Sequence, residues 1–223
     1  MLEIRYVWEW PVRITHWVNF ICLAVLSVTG YFIGEPFIGA NTTSAYIMGW
    51  FRFLHFVFGY LLAASVVSRL IWMFIGNRYA TWRNFVPWIS ARGRQGARKM
   101  FKYYTFIDSR IPYEVGHNAL AGSTYAVIFL LFLVQIVTGF ALYGQFAPGE
   151  FWDVVFGWLP TIFATQWMRF THHIVMWLLI GFVIHHIYSA WLMDVKERNG
   201  VMSSIFGGCK YIEPADVDRY GRE

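Results

Sequence analysis

The chain has 223 residues, 57% of them apolar, 21% aromatic and only 14% charged, with a formal net charge of +5. Soluble domains carry about 25% charged residues, so this composition and the mean hydropathy of +0.44 exclude a water-soluble globular protein. Two cysteines, Cys22 and Cys209, with no Cys-x-x-Cys-His run, exclude a disulfide scaffold and covalently attached c-type haem.

The remaining class is an integral membrane protein. Glu3, Arg5, Glu9 and Arg13 stand where the apolar part of a cleavable leader would lie, so none is expected. Four apolar stretches follow, at 14–33, 51–75 (with Arg52 and Arg69 near its ends), 119–143 and 170–193. Each can cross a hydrocarbon core of about 30 Å as a helix, and none shows the alternation of a barrel strand. The expectation is an all-α, four-helix membrane bundle forming a single domain over 1–223.

The loop 76–116 holds Arg78, Arg83, Arg92, Arg94, Arg98, Lys99, Lys102 and Arg110, and the arm and tail add further basic residues. The opposite loops contribute only Arg52 and Arg169, each at a span edge. The positive-inside rule therefore puts this loop and both termini in the cytoplasm, the span set lying in the inner membrane. Anionic lipid accounts for the basic charge without any nucleic acid. Trp82, Phe85, Trp88, Phe101, Tyr103 and Tyr104 within the loop suit anchors of a segment lying along the headgroups. The run Val28-Thr29-Gly30-Tyr31 near the end of the first span is echoed by Val137-Thr138-Gly139-Phe140 in the third. That echo reads as close helix packing ahead of a functional repeat.

Six of the seven histidines lie in or at the spans: His16, His55, His172, His173, His185 and His186. Ionisable side chains in a bilayer are costly and mark function. Counted from the outer surface, His55 lies four residues below Phe51 and His172 three below Arg169, while His16 and His186 each lie 17 residues deep. His172 and His186 are separated by about 21 Å of helical rise and about 1400° of turn, close to four full turns, so they share one face. Two stacked sites follow, each with one histidine from the fourth span and one from a neighbour. Such pairs suit bis-histidine haem in a helical bundle. Arg13, Arg52 and Arg169 each precede a proposed ligand by three residues, where a guanidinium could hold a haem propionate. His173 and His185 point about 100° away from their neighbours and read as structural. His117, in Gly116-His117-Asn118 at the start of the third span, is either a solvated boundary residue or a proton donor to quinone. Asn118, Arg110 and Tyr104 complete the candidate quinone site, with capping of the third helix as the alternative role for His117 and Asn118.

The run Arg13-Ile14-Thr15-His16-Trp17 through Leu26-Ser27-Val28-Thr29-Gly30 resembles the N-terminal signature of the b-type cytochrome subunit of membrane-bound nickel–iron hydrogenases, a cytochrome b561-like di-haem family. His172-His173-Ile174-x-x-Trp177, with Phe182 and His186, is similar to its fourth-helix signature, and Tyr46-x-Met48-Gly49-Trp50-x-Arg52-x-x-His55, Gly76-Asn77-Arg78-Tyr79 and Gly116-His117-Asn118 also match. Two local departures are Trp191-Leu192-Met193, where the family carries charges, and a short loop before Arg169. The resemblance implies two haem b groups, the outer on His55 and His172 and the inner on His16 and His186. It implies an electron-transfer subunit in the respiratory chain that anchors the hydrogenase small subunit, with its iron–sulfur clusters and anchoring helix, and the large subunit beside it. Electrons from H2 would pass to a quinone bound near the cytoplasmic face. The chain itself would be non-catalytic apart from hosting that quinone site.

The close alternative is the same design serving another dehydrogenase, such as formate dehydrogenase. A di-iron desaturase needs several short His-x-x-His clusters at one depth, which this chain lacks. A histidine-relay transporter is the weakest reading, because the predicted spans contain no Asp or Glu.

Overall fold

A computed structural model describes residues 2–39, 45–109, 114–147 and 149–212. Four helices are long and apolar enough to cross a membrane: α1 Trp10–Gly34, α2 Ile47–Ile75, α4 Ala119–Gly144 and α7 Thr165–Glu197. Each contains one predicted span. Between them lie α3 Ala91–Tyr104, α5 Glu150–Phe156 and α6 Leu159–Ile162, and α8 Val201–Gly207 follows α7. The strands β1 Glu3–Tyr6 and β2 Cys209–Ile212 pair antiparallel, with Arg5 opposite Lys210. The helices begin and end where local chemistry permits. Pro11 sits in the first turn of α1, where its missing N–H costs nothing. Asn118 caps α4, its Oδ1 accepting the Ala121 N–H at 2.8 Å. Ser90 caps α3 through the Gly93 N–H at 2.9 Å. After α7 the chain turns out through left-handed Arg198 and Gly200, with φ of 52° and 80°.

The chain forms two compact units, residues 1–14, 68–129 and 184–223 in the first and 15–67 and 130–183 in the second. In the first, Val7, Trp8, Val12, Ala80, Val115 and Ile212 bury one another, with Trp72, Tyr79 and Ile205 packed against them. Polar groups fasten this core. The Glu9 carboxylate accepts the Trp72 indole N–H at 2.9 Å and the Asn77 backbone N–H at 2.7 Å. Asn77 Nδ2 donates to the Val7 carbonyl at 2.9 Å, and Trp8 Nε1 to Ser204 Oγ at 3.1 Å. Buried Arg69 donates twice to the Ala80 carbonyl, and Arg13 donates to the Phe206 carbonyl. The arm, the α2–α3 loop and the tail are thereby knotted into a clasp that apolar runs gave no hint of.

In the second unit, Ala141, Leu159 and Met168 form a buried cluster with Leu142 and Phe156 against it. Trp152 of α5 stacks at 5.3 Å on Phe140 and 6.0 Å on Phe156. On the outside of both units large apolar side chains stay exposed, Phe74 at 75% and Ile184 at 67% among them, as a lipid-facing surface requires.

Replacing Glu9 by Ala leaves two part-buried donors without an acceptor and is expected to cost about 1–3 kcal/mol. The comparison is Glu3→Ala, which removes the exposed Arg5–Glu3 pair at 2.9 Å and should cost under about 1 kcal/mol. Thermal unfolding in detergent measures both; equal losses would show that Glu9 does not hold the clasp.

Candidate functional site

His55 of α2 and His172 of α7 come together in the second unit, their ring centres 6.3 Å apart and their planes at 65°. Each ring is held by the same two-residue device on a different helix. The Thr29 hydroxyl of α1 donates to the Val25 carbonyl one turn earlier at 2.8 Å. Its only proton thus committed, the oxygen accepts, and His55 Nδ1 stands 2.9 Å away. On α4, Thr138 donates to the Val134 carbonyl at 2.6 Å, and His172 Nδ1 lies 2.9 Å from its oxygen. The network assigns the proton to Nδ1 in both rings and leaves each Nε2 with its lone pair. A glycine follows each threonine. A Cβ on Gly30 would lie 3.1 Å from His55 Cε1, and one on Gly139 would lie 3.1 Å from His172 Cε1. A Cβ at either position would crowd the imidazole, which would have to give by a few tenths of an ångström.

Two imidazoles that keep a lone pair on Nε2 would be able to hold a metal ion between them. Metal–imidazole bonds of about 2.0–2.1 Å, taken twice with the half-widths of the rings, separate the ring centres by about 6 Å. The observed spacing fits one metal ion between them. The Nδ1–H bond to threonine is the outer partner that fixes tautomer and orientation in such sites. The echo between the first and third spans is therefore more than packing: it is a histidine seat built twice. Thr29, Gly30, Thr138 and Gly139 are site residues that depth counting on histidines alone does not find.

The other histidines are placed differently. His173 packs against α1, where a Cβ on Gly34 would meet its Cε1 at 3.1 Å. His185 is exposed, with Ser189 Oγ 3.2 Å from its Nε2. His16 lies in the second unit, half-buried, with the Trp17 ring edge-on at 5.1 Å. His186 lies in the first unit, its Nδ1 3.4 Å from the Tyr125 hydroxyl. Among the arginines, Arg52 and Arg169 are exposed, one turn before His55 and His172. Arg13 is only 6% exposed, and its guanidinium lies 4.1 Å over the Trp10 ring while bonding the Phe206 carbonyl. It secures the clasp whatever else it does.

Of the candidate quinone residues, half-buried His117 sits among aromatic rings. Trp8 is 4.5 Å from its ring centre, Tyr125 4.7 Å and Phe85 6.3 Å. Asn118 spends its carbonyl oxygen on the cap of α4 and keeps its amide as a donor. Tyr104 closes α3, its hydroxyl pushed above the usual range by burial, then by Tyr103 and Glu197. Arg110 lies outside the described residues. Tyr125, which touches both His117 and His186, was not read from sequence.

Helices long and apolar enough to cross a membrane bring two imidazoles face to face at a spacing that would fit one metal ion between them. Residues 7–208 match the family described as prokaryotic cytochrome b561, and the chain belongs to that family. It is 36% identical over 93% of its length to a protein of Cupriavidus necator described as a probable Ni/Fe-hydrogenase B-type cytochrome subunit, covering 87% of that protein. It is 38% identical over 91% of its length to the protein so described from Rhizobium leguminosarum bv. viciae, covering 87%. To the probable Ni/Fe-hydrogenase 1 B-type cytochrome subunit of Escherichia coli K12 it is 36% identical over 92% of its length, covering 89%. The family is one of b-type cytochromes, whose cofactor is haem b, and the donor chemistry of His55 and His172 fits that group.

Thr29→Val and Thr138→Val keep side-chain shape and remove the hydroxyl, with both its bond to the helix carbonyl and its contact to the imidazole. Each is expected to lower haem affinity about 10–100-fold, measured by titrating haem into the haem-free protein. Ser27→Ala, on the same helix, should leave the titration unchanged. Wild-type affinity in both threonine variants would show that Nδ1 anchoring plays no part.

Proposed function

We propose that this chain is the di-haem b anchor and electron-transfer subunit of a membrane-bound nickel–iron hydrogenase, passing electrons from H2 oxidation to quinone. The facing pair His55 and His172, in a seat built twice, is the observation that carries this reading. The descriptions of the relatives support the hydrogenase as partner. In this reading its small subunit contributes iron–sulfur clusters and an anchoring helix and its large subunit the H2 chemistry. His55 and His172 hold the outer haem. The equal sequence depths of His16 and His186 support them as ligands of an inner haem. Haem supplies one-electron redox chemistry, and the rest is the chain's work. Threonine hydroxyls fix the ligand tautomers, and Arg13, Arg52 and Arg169 offer guanidinium to propionates. The basic loop 76–116 supports cytoplasmic termini and residence in the inner membrane. His117, enclosed by Trp8 and Tyr125, holds a proton for a quinone oxygen, with Asn118 Nδ2 and Tyr104 as neighbouring donors.

A pyridine-haemochrome assay on purified chain should give about two haem b per polypeptide, and His55→Ala or His172→Ala about one. A wild-type value near one would remove the inner pair, and a folded His55→Ala chain without any haem would break the pairing. In membranes carrying the hydrogenase, His117→Ala should leave haem reduction by hydrogen intact and slow quinone reduction about 100-fold, the contribution of a positioned acid. Quinone reduction at the wild-type rate would remove His117 from that role.

A further inference from the structure

Where α2 ends, the first unit holds a half-open cavity of about 430 Å³. That volume lies in the range of small-ligand pockets, about 300–1,000 Å³. Its lining has two chemical halves. Met73 and Phe74, in the last turn of α2, supply the apolar half, and Phe74 is 75% exposed on the lipid-facing surface. Arg78 and Arg83 of the following loop supply two guanidiniums, with Trp82 beside them. No carboxylate lines the cavity to neutralise that charge. The loop is held from behind. Asn77 Oδ1 accepts the Tyr79 and Ala80 N–H groups at 3.0 and 3.1 Å. The Arg78 carbonyl accepts Asn84 Nδ2 at 2.7 Å and the Thr81 hydroxyl at 3.3 Å, which closes the loop on itself. Asn84 in turn rests on α4, where a Cβ on Gly122 would fall 2.0 Å from its carbonyl oxygen. The guanidiniums lie near rings. Arg78 Cζ is 4.9 Å from the Tyr79 ring centre, with its Nη2 donating to the phenol oxygen at 2.8 Å, and Arg83 Cζ is 5.9 Å from the Trp82 ring. The basic half is thus formed before any ligand arrives, which lowers the cost of binding one.

We propose that this cavity binds one anionic phospholipid, its phosphate diester held by Arg78 and Arg83 and its acyl chains lying along Met73 and Phe74. Guanidinium is the side-chain group that meets phosphate oxygens two at a time. Basic pockets at the polar ends of membrane helices recognise anionic headgroups, and tryptophan settles at the same level. A phospholipid sets its charge directly beside hydrocarbon, and the cavity sets two guanidiniums directly beside the exposed end of α2. A zwitterionic lipid would bring its own positive charge against both arginines, so the anionic headgroup is favoured. Quinone is the poorer fit. Its reduction needs a proton donor, and no Asp, Glu, His or Tyr lines this cavity. A lipid held here joins the last turn of α2 to a loop whose Tyr79 and Ala80 pack into the core of the clasp, so binding stabilises the folded chain.

The test titrates purified, haem-loaded full chain in detergent with dioleoylphosphatidylglycerol or dioleoylphosphatidylcholine. Native mass spectrometry reads bound lipid, and thermal unfolding reads stability. One phosphatidylglycerol should be retained about tenfold more tightly than phosphatidylcholine and should raise the unfolding temperature. Arg83→Gln should weaken retention about fivefold, and Arg78→Gln with Arg83→Gln about 30-fold, with the haem spectrum unchanged. Arg98→Gln with Lys99→Gln removes the same charge from exposed positions on α3 and should leave retention at the wild-type level. Where the double variant at the cavity fails to fold, exposed Arg83 alone decides the matter, Arg83→Lys keeping part of the affinity that Arg83→Gln loses. Equal losses in the two double variants would reduce the effect to general charge attraction, and equal retention of the two lipids would remove the headgroup contact. Either result overturns the proposal. Displacement of the lipid by inorganic phosphate would make the cavity a site for a free anion, and displacement by decyl-ubiquinone a site for quinone, and each overturns it as well.

Discussion

A threonine hydroxyl has one proton, and in a lipid-embedded helix no water competes for it. The carbonyl four residues earlier is always within reach, and Thr29 and Thr138 both donate there. That commitment turns each hydroxyl into an acceptor with a fixed direction. An imidazole meeting it presents Nδ1–H and turns its Nε2 lone pair the other way. The tautomer of each ligand is thus decided by the backbone of a helix to which the ligand does not belong. The glycine after each threonine completes the arrangement, because a Cβ there would crowd the ring by a few tenths of an ångström. In the second unit α1 and α4 are seat helices, and α2 and α7 are ligand helices. A pair of equal seats needs no charged residue to hold it, which suits a site surrounded by lipid.

Much of this was legible in the sequence. The four spans were plain because long apolar runs have no alternative in water. Their ends were not. Trp10–Arg13, Ile47–Trp50 and Thr165–Arg169 are helical but mix aromatic, polar and basic residues, and hydropathy does not flag such amphipathic ends. Histidine depth brought His55 and His172 together on paper, and the rings do face each other. The seats were visible only as an echo. Short Thr-Gly pairs serve ordinary helix contacts so often that the pattern has no chemical meaning until a histidine is seen against each one. The clasp was illegible for a different reason. Pairing residues 3–6 with 209–212 is a contact across almost the whole chain, and neither strand carries an alternating pattern long enough to announce it.

The clasp also explains why the N-terminal arm matters to chemistry. Trp8 is buried in the core it shares with Ile212 and Val115, anchored by its indole N–H on Ser204, and its ring lies against His117. Glu9, the next residue, ties that arm to the end of α2 through Trp72 and Asn77. One face of the His117 slot is therefore made by a segment held in place from both chain ends. In the role proposed for it, His117 would gain from such walls, because water that enters freely both screens the charge and competes for the acceptor.

The two units divide the labour by what their side chains can do. In the second, each facing histidine has its Nδ1 against a threonine oxygen whose hydroxyl lies within reach of its own helix carbonyl. The first carries His117, Glu197, Tyr104 and Tyr125, side chains of types that can exchange a proton, with His117 and Tyr125 in ring contact. Electron transfer favours a rigid, dry, non-titrating ligand set, since any proton movement there would couple to the redox change and slow it. Quinone reduction requires the reverse. On the function proposed for this chain, a histidine pair on threonine and glycine, apart from the titratable groups at the helix ends, keeps the two demands from compromising each other.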